Sequence, residues 1–298
     1  LVLRRRGRFA RTQGRLSDAE RLYASGYELA LAVGDREGAA EGAIGAGNAL
    51  EDEGRWAASE AWYLRALEVL EATEVVTPQR WHALLNLHVV TRSRGQVEES
   101  VDWLRRAEGV AEGLGDATAR PFIQNAWGQL HMSRGDFAVA ARHLQDALLS
   151  DRGARATVTI RLNLGEALLA QGRTLDAAEE VREAERVALM TGTVTKLPEV
   201  YRLLGRIASA RGNPDALVLF ERALEIVRER GLPALEEALT LQAYADAQAH
   251  VGDDEEAERL RGRALELYRG LGIEGERRPF ADSYGGARRE REGHAHDS

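Results

Sequence analysis

The sequence contains no cysteine, only six prolines and a single lysine, Lys196, and these shortages exclude several classes of protein. Without cysteine the chain can form neither disulfides nor thiolate metal sites, which suits a reducing compartment and predicts a cytoplasmic protein. No apolar run approaches the ~18 residues of a membrane-spanning helix, so we expect no membrane partner. The formal net charge of −8 disfavours nucleic acid as a partner of the whole chain.

Sequence motifs for catalysis are also missing. The chain has no H-E-x-x-H, G-x-S-x-G or P-loop pattern. The glycines at Gly42, Gly45 and Gly47 lie within a predicted helix, which favours close helix packing over a phosphate-binding loop. Glu51 and Asp52 are adjacent rather than one turn apart, so we interpret them as a solvated face. We therefore expect neither enzymatic activity nor a cofactor or metal.

What the chain does contain is a repeat of about 40 residues. Each repeat has a glycine between two amphipathic segments, and a small residue follows that glycine by five positions, or by four in the sixth repeat. Small residues at fixed helix positions allow a neighbouring helix to approach closely. The seven turn glycines are Gly14, Gly54, Gly95, Gly135, Gly172, Gly212 and Gly252.

A second glycine recurs seven residues before the turn, in the middle of the preceding helix. It is present as Gly47, Gly128, Gly165 and Gly205, whereas the third and seventh repeats have His88 and Ala245 there. A mid-helix glycine costs about 1 kcal/mol relative to alanine. Its recurrence at one repeat position indicates that helix crossing requires it, and it predicts slightly wider helix spacing at His88 and Ala245.

The second repeat shows a family pattern most clearly, with Gly47, Gly54, Tyr63 and Ala66 in register. These residues resemble the tetratricopeptide repeat, with units of about 40 residues as in the kinesin light chains, Leu-Gly-Asn-repeat adaptors and helical regions of large bacterial regulators. The resemblance implies an all-α fold, a right-handed α-solenoid of about seven helix–turn–helix repeats over residues 1–271. Residues 272–298, rich in charge and glycine, are predicted to form a disordered tail.

The resemblance also implies a concave groove lined by the first helix of each repeat, where such proteins bind ligands. An amide side chain offers both a donor and an acceptor to a peptide group, and arginine pairs with carboxylates. The alternatives are that the asparagines cap helices or face water and that the arginines form a solvated salt-bridged face. The candidate groove residues are Asn48, Asn86, Arg92, Asn125, Gln129, Asn163, Arg202 and Arg206.

The function we predict is a protein-interaction scaffold that binds an extended peptide or helix in this groove. The alternative is a sensory or regulatory region of a larger bacterial regulator, which the start at Leu1 without methionine suggests. A basic patch near the start, Arg4, Arg5, Arg6, Arg8 and Arg11, could contact an upstream domain or, less favourably, nucleic acid. The sequence does not reveal the oligomeric state or the partner.

Overall fold

The computed structural model describes residues 1–72, 76–149 and 153–273, and over these ranges it contains fourteen α-helices and no β-strand. No helix in these ranges is both long and apolar enough to cross a bilayer. The helices are α1 (Val2–Thr12), α2 (Leu16–Ala32), α3 (Arg36–Asp52), α4 (Trp56–Glu71), α5 (Pro78–Ser93), α6 (Val97–Leu114), α7 (Arg120–Ser133), α8 (Phe137–Leu148), α9 (Gly153–Ala170), α10 (Thr174–Thr191), α11 (Leu197–Ala210), α12 (Ala216–Arg230), α13 (Ala234–Val251) and α14 (Asp254–Gly270).

The turn inside each helix pair is made by the glycine that the repeat predicts. All seven of these glycines have positive φ, from 67° at Gly212 to 90° at Gly252. A residue with a side chain is strained in this left-handed region, and glycine is not. The helix–turn–helix prediction is therefore confirmed for all seven repeats. Of the tail predicted at 272–298, residues 274–298 lie outside the described residues.

The chain divides into two compact units. Unit 1 comprises Leu1–Ala126 and Gly231–Leu235, and unit 2 comprises Trp127–Arg230 and Glu236–Ser298. In unit 1, α1 packs on α2, α3 on α4 and α5 on α6, while the first helices α1, α3 and α5 are successive neighbours. In unit 2, α9 packs on α10 and α11 on α12, while α9 also contacts α11. Each unit thus presents a face built from first helices, which we call its first-helix face.

Mid-helix glycines mark the places where the two helices of a pair cross. A methyl group at Gly47 would overlap the ring of Tyr63, and one at Gly165 would lie 2.6 Å from Val181 Cγ2. The same clash would occur at Gly128 with Leu144 and at Gly205 with Phe220. These contacts are far shorter than carbon atoms tolerate. The packing role predicted for these glycines is confirmed, and the phosphate-loop alternative at Gly47 has no support.

The third repeat places His88 where other repeats have glycine. Its side chain is completely buried, and Nδ1 lies 2.9 Å from the backbone carbonyl of Ser100 on α6. Because a carbonyl oxygen can only accept, Nδ1 carries the proton and donates it. Burial, together with the nearby charge of Arg92, lowers the pKa of His88 to about 3, although the bond to Ser100 opposes this. The imidazole is therefore neutral in the folded protein near neutral pH.

Candidate functional site

The first-helix face of unit 1 contains a hydrogen-bonded network centred on α3. Asn86 on α5 donates from Nδ2 to Asn48 Oδ1 at 3.2 Å, so two of the predicted groove amides lie side by side on neighbouring helices. The hydroxyl of Tyr63, which reaches through from α4, lies 2.8 Å from Asn48 Oδ1 and 2.7 Å from Glu51 Oε2. The position of Asn48 therefore depends on both neighbouring helices.

Glu51 and Tyr63 share a poorly solvated environment. Burial raises the pKa of the Glu51 carboxyl, and the neighbouring charge of Asp52 raises it further, against the opposing effects of the Tyr63 hydrogen bond and of Arg11 and Arg92. Burial and the Glu51 carboxylate hold the pKa of Tyr63 well above its ordinary value. The hydroxyl thus remains protonated and available as a donor to Glu51.

Asp52 is bound by an arginine from the preceding repeat. Arg11 donates to it in a bidentate manner, with Nε 2.5 Å from Oδ2 and Nη2 3.1 Å from Oδ1. The side chain of Asp52 is 27% exposed. The interpretation of Glu51 and Asp52 as a solvated face is therefore wrong: Asp52 pairs with Arg11 of α1, and Glu51 accepts from Tyr63 of α4.

Aromatic rings lie on the same face, at the start of α5 and α7. Trp81 is buried and stacks on the exposed ring of His82, with ring centroids 3.6 Å apart. The ring centroids of Trp81 and Phe122 are 6.2 Å apart. Trp81 Nε1 donates to Asp116 Oδ2 at 2.9 Å. Because Phe122 is 37% exposed, the starts of α5 and α7 offer apolar contact area, and His82 lies one helical turn before Asn86 on α5.

The first-helix face of unit 2 is built from ion pairs instead. Arg206 on α11 contacts Glu166 on α9, with Nη1 2.6 Å from Oε1. Arg202 Nη1 lies 3.0 Å from Glu236 Oε2 and 3.3 Å from Thr240 Oγ1, both on α13. The predicted groove arginines thus have partners within the chain, in neighbouring repeats.

Glu199 joins this set of charges one turn before Arg202. Its carboxylate accepts a 2.6 Å hydrogen bond from Lys196 Nζ. Burial alone would raise the pKa of Glu199, but the charges of Lys196 and Arg202 outweigh burial and hold it below its ordinary value. The acid is therefore ionised near neutral pH and lies between the positive charges of Lys196 and Arg202.

The remaining predicted residues occupy first helices as well. Arg92 on α5 is buried and its charge acts on both Glu51 and His88. Asn125 and Gln129 on α7 are half-buried, in units 1 and 2 respectively, and Asn163 on α9 is 8% exposed. The structure places Asn48 beside Asn86 on neighbouring helices, and it places Arg202 and Arg206 one turn apart on α11.

Sequence reasoning missed the partners of these residues, although a signal exists. At one repeat position the charge alternates, as Arg11, Glu51 and Arg92, and at another it alternates as Glu166, Arg206 and Asp246, always about 40 residues apart. Stacked repeats bring such residues together across neighbouring helices. Opposite charges at this spacing therefore predict inter-repeat ion pairs rather than independent ligand contacts.

Metal chemistry finds no support in the part of the chain that the structure describes. It contains no group of three or more potential metal-binding side chains. His131 on α7 and His143 on α8 stack with centroids 5.3 Å apart, and His131 Nδ1 lies 3.4 Å from Asp136. His294 and His296, considered as a weak metal site in the sequence, lie outside the described residues.

Fold and repeat pattern together define a helical-repeat protein. Two family models described as tetratricopeptide repeat match the sequence, one over residues 125–188 and the other over residues 196–270. Residues 125–188 and 196–270 are therefore tetratricopeptide repeats, and the described chain has an all-α fold of the α-solenoid class. No curated protein sequence matches it.

Solved structures with the same fold include three Rap proteins. The Rap conjugation gene regulator of plasmid pLS20 in complex with the Phr* peptide has a TM-score of 0.76 at 13% identity, and the match covers 91% of this chain and 74% of that one. A Rap protein complexed with Competence and Sporulation Factor has a TM-score of 0.74 at 18% identity, covering 93% and 76%. The apo form of RapI has a TM-score of 0.67 at 12% identity, covering 92% and 98%. At these identities the likeness concerns the fold.

Proposed function

We propose that this tetratricopeptide-repeat protein is an interaction scaffold that binds an extended peptide on its first-helix face, with Asn48 and Asn86 as backbone contacts. The observation that carries the proposal is the pairing of these two amides on neighbouring helices, 3.2 Å apart. Two amides in a row can exchange their mutual hydrogen bond for bonds to one peptide group, which offers one donor and one acceptor.

The fold supports this proposal. Two Rap structures with the same fold were solved with a bound partner, a Phr* peptide in one and Competence and Sporulation Factor in the other. His82, one helical turn before Asn86 on α5, and Phe122 on α7 would hold an apolar side chain of the peptide. Backbone contacts would then supply affinity and the rings selectivity.

In unit 2, Asn163, Arg202 and Arg206 form a second set of contacts in the proposal, as Asn125 and Gln129 do on α7. Because Arg202 and Arg206 are already paired with Glu236 and Glu166, a ligand carboxylate would have to displace an internal one. We therefore assign the arginines a smaller share of the affinity than the unit 1 amides.

The test is affinity selection from a pool of synthetic ten-residue peptides, followed by fluorescence polarisation with the selected peptide. Asn86→Ala and Asn48→Ala are each expected to weaken binding about tenfold, since each removes a hydrogen bond worth about 1 kcal/mol and leaves a peptide group unsatisfied. Gln145→Ala, which removes an exposed amide on α8, is the matched control and should leave binding unchanged. Equal affinity for Asn86→Ala and Gln145→Ala would contradict the role of the amides.

A regulatory function is the second candidate, favoured by the description of one fold neighbour as a conjugation gene regulator. In this version peptide binding on the first-helix face changes the contacts that the protein makes with an effector. Hydrogen exchange with and without the selected peptide tests it: protection that changes only at the binding helices argues for a scaffold, and protection that also changes on second helices argues for a relay.

A further inference from the structure

The arginine-rich start of α1 is divided between two sides of the helix. Arg4 pairs with Glu41 and Arg11 with Asp52, so both turn toward α3. Arg5 and Arg6 are exposed and pair with no carboxylate in the part of the chain described. They lie with Phe9 on the other side of α1, against α2. Only part of the basic patch is therefore used in holding α1 to the first-helix face.

Arg5, Arg6 and Phe9 line a cleft between α1 and α2, which we call the α1–α2 cleft, with a volume of about 590 Å³. Its walls also carry Arg15, Arg21 and Leu22, and its one acid is Asp18. Asp18 accepts from Arg15 at 3.5 Å and from Arg21. Four arginines against one aspartate leave the cleft with a net charge of +3, in a chain whose net charge is −8.

The cleft combines this charge with apolar surface. Phe9 is 62% exposed, and Leu22 is half-buried beside it on the wall formed by α2. The exposed ring of Phe9 gives the cleft apolar contact area directly beside its arginines. Guanidinium groups form planar, bidentate pairs with carboxylates, and an apolar side chain would cover the ring.

We propose that the α1–α2 cleft binds an acidic segment of a partner protein, with an aromatic or aliphatic side chain of that segment seated on Phe9 and Leu22. Nucleic acid fits less well, because a long polyanion would extend beyond the cleft onto the rest of a chain whose net charge is −8. A short peptide confines its acids to the cleft. This site is separate from the amide pair, and the proposal does not rest on the peptide-binding function above.

The experiment is phage selection of a random twelve-residue peptide library on the wild-type protein, with Arg5→Glu/Arg6→Glu as the counter-selection protein. Binding of the enriched peptides is then measured by fluorescence polarisation at 50 and 300 mM NaCl. We expect acids next to an aromatic or aliphatic residue, affinity at least tenfold weaker for Arg5→Glu/Arg6→Glu and about threefold weaker for Phe9→Ala. Arg105→Glu, an equally exposed charge reversal on α6, is the control and should bind as the wild type does.

Several outcomes would overturn the proposal. One is enrichment of peptides without acids, and another is failure to enrich any peptide that distinguishes the wild type from Arg5→Glu/Arg6→Glu. Tighter binding of a twelve-nucleotide oligo(dT) than of the peptides, lost in the same variant, would assign the cleft to nucleic acid instead. Peptides that Asn86→Ala weakens but Arg5→Glu/Arg6→Glu does not belong to the first-helix face, so failure of either proposal is distinguishable. Circular dichroism melts confirm that each variant is folded.

Discussion

Tyr63 in unit 1 and Phe220 in unit 2 do the same packing but differ by one hydroxyl group. Each ring lies on a mid-helix glycine, Gly47 for Tyr63 and Gly205 for Phe220. The hydroxyl of Tyr63 extends beyond the glycine and contacts Asn48 and Glu51 on α3. Phe220 has no hydroxyl and so makes no hydrogen bond of this kind. The repeat therefore determines the backbone in both units, and one hydroxyl group connects α4 to the first-helix face in unit 1 where Phe220 makes no such hydrogen bond in unit 2.

The largest effect on stability is expected from a side chain placed where α3 and α4 cross at Gly47. Gly47→Leu places a branched side chain on the ring of Tyr63 and should destabilise the protein by about 3 kcal/mol or more, since overpacking forces the helices apart. Gly109→Leu is the control: Gly109 is also inside a helix, but nothing lies within 4 Å of its missing side chain. That variant should gain up to about 1 kcal/mol from helix propensity. Urea unfolding measures both, and equal free energies of unfolding would refute the crossing role.

A second comparison sets His88 against the glycines that occupy its position elsewhere. Its pKa of about 3 lies below that of an unfolded histidine, so the unfolded chain binds the extra proton as the pH falls below about 6.5. Stability is complete above that pH and should fall by about 3 kcal/mol by pH 4.5. His88→Asn keeps a hydrogen-bond donor for the Ser100 carbonyl but does not titrate, so this variant should lose the pH-dependent part of the stability. The control His250→Asn, at an exposed site, retains His88 and should follow the wild type in urea titrations across this range.

The hydroxyl itself can be removed by giving unit 1 a phenylalanine at position 63, as unit 2 has at Phe220. Tyr63→Phe keeps the packing on Gly47 but leaves Asn48 and Glu51 without the hydroxyl, which should cost about 1–2 kcal/mol in urea unfolding. Tyr244→Phe, which also removes a hydroxyl bonded to a glutamate, Glu221, serves as the control outside the network. Peptide affinity should fall in Tyr63→Phe alone; equal losses would remove the network from the proposed site.

The direction of the Glu51 pKa shift can be tested by measuring the free energy of unfolding against pH. Because burial raises the pKa of Glu51, ionising this carboxyl is harder in the folded than in the unfolded chain. The folded state is therefore weakened above the raised pKa and relieved as the pH falls toward the unfolded value. Glu51→Gln should be stabilised relative to the wild type at neutral pH, with the difference closing on acidification. A difference in free energy of unfolding that is independent of pH would contradict the shift.

Much of the fold follows from the sequence, for a definite physical reason. A positive φ at Gly54 and a close crossing at Gly47 are local steric requirements, and seven turn glycines with four mid-helix glycines in register reveal them as a period. The contacts of the candidate site depend on stacking between repeats, which brings Arg11 to Asp52 and Arg206 to Glu166. The helical periodicity of one repeat does not predict which residues of the neighbouring repeat its side chains contact. The burial of Glu51 could not be predicted from the sequence, because adjacent acids on one helix are usually solvated.

The smallest expected effect concerns the ion pairs of unit 2. A double-mutant cycle on Arg206 and Glu166, with each changed to alanine, should give a coupling energy of about 1 kcal/mol, because both side chains are only about one fifth exposed. The exposed pair Arg222 and Glu225 on α12 is the control and should give a smaller coupling energy, because solvent screens both charges. Raising the salt concentration should reduce the second coupling more than the first, since solvent screens exposed charges better. Equal couplings in both cycles would mean that the ion pairs of the unit 2 face are no more rigid than ordinary surface pairs, and Arg206 would then be as available to a ligand carboxylate as the amides of unit 1 are to a peptide group.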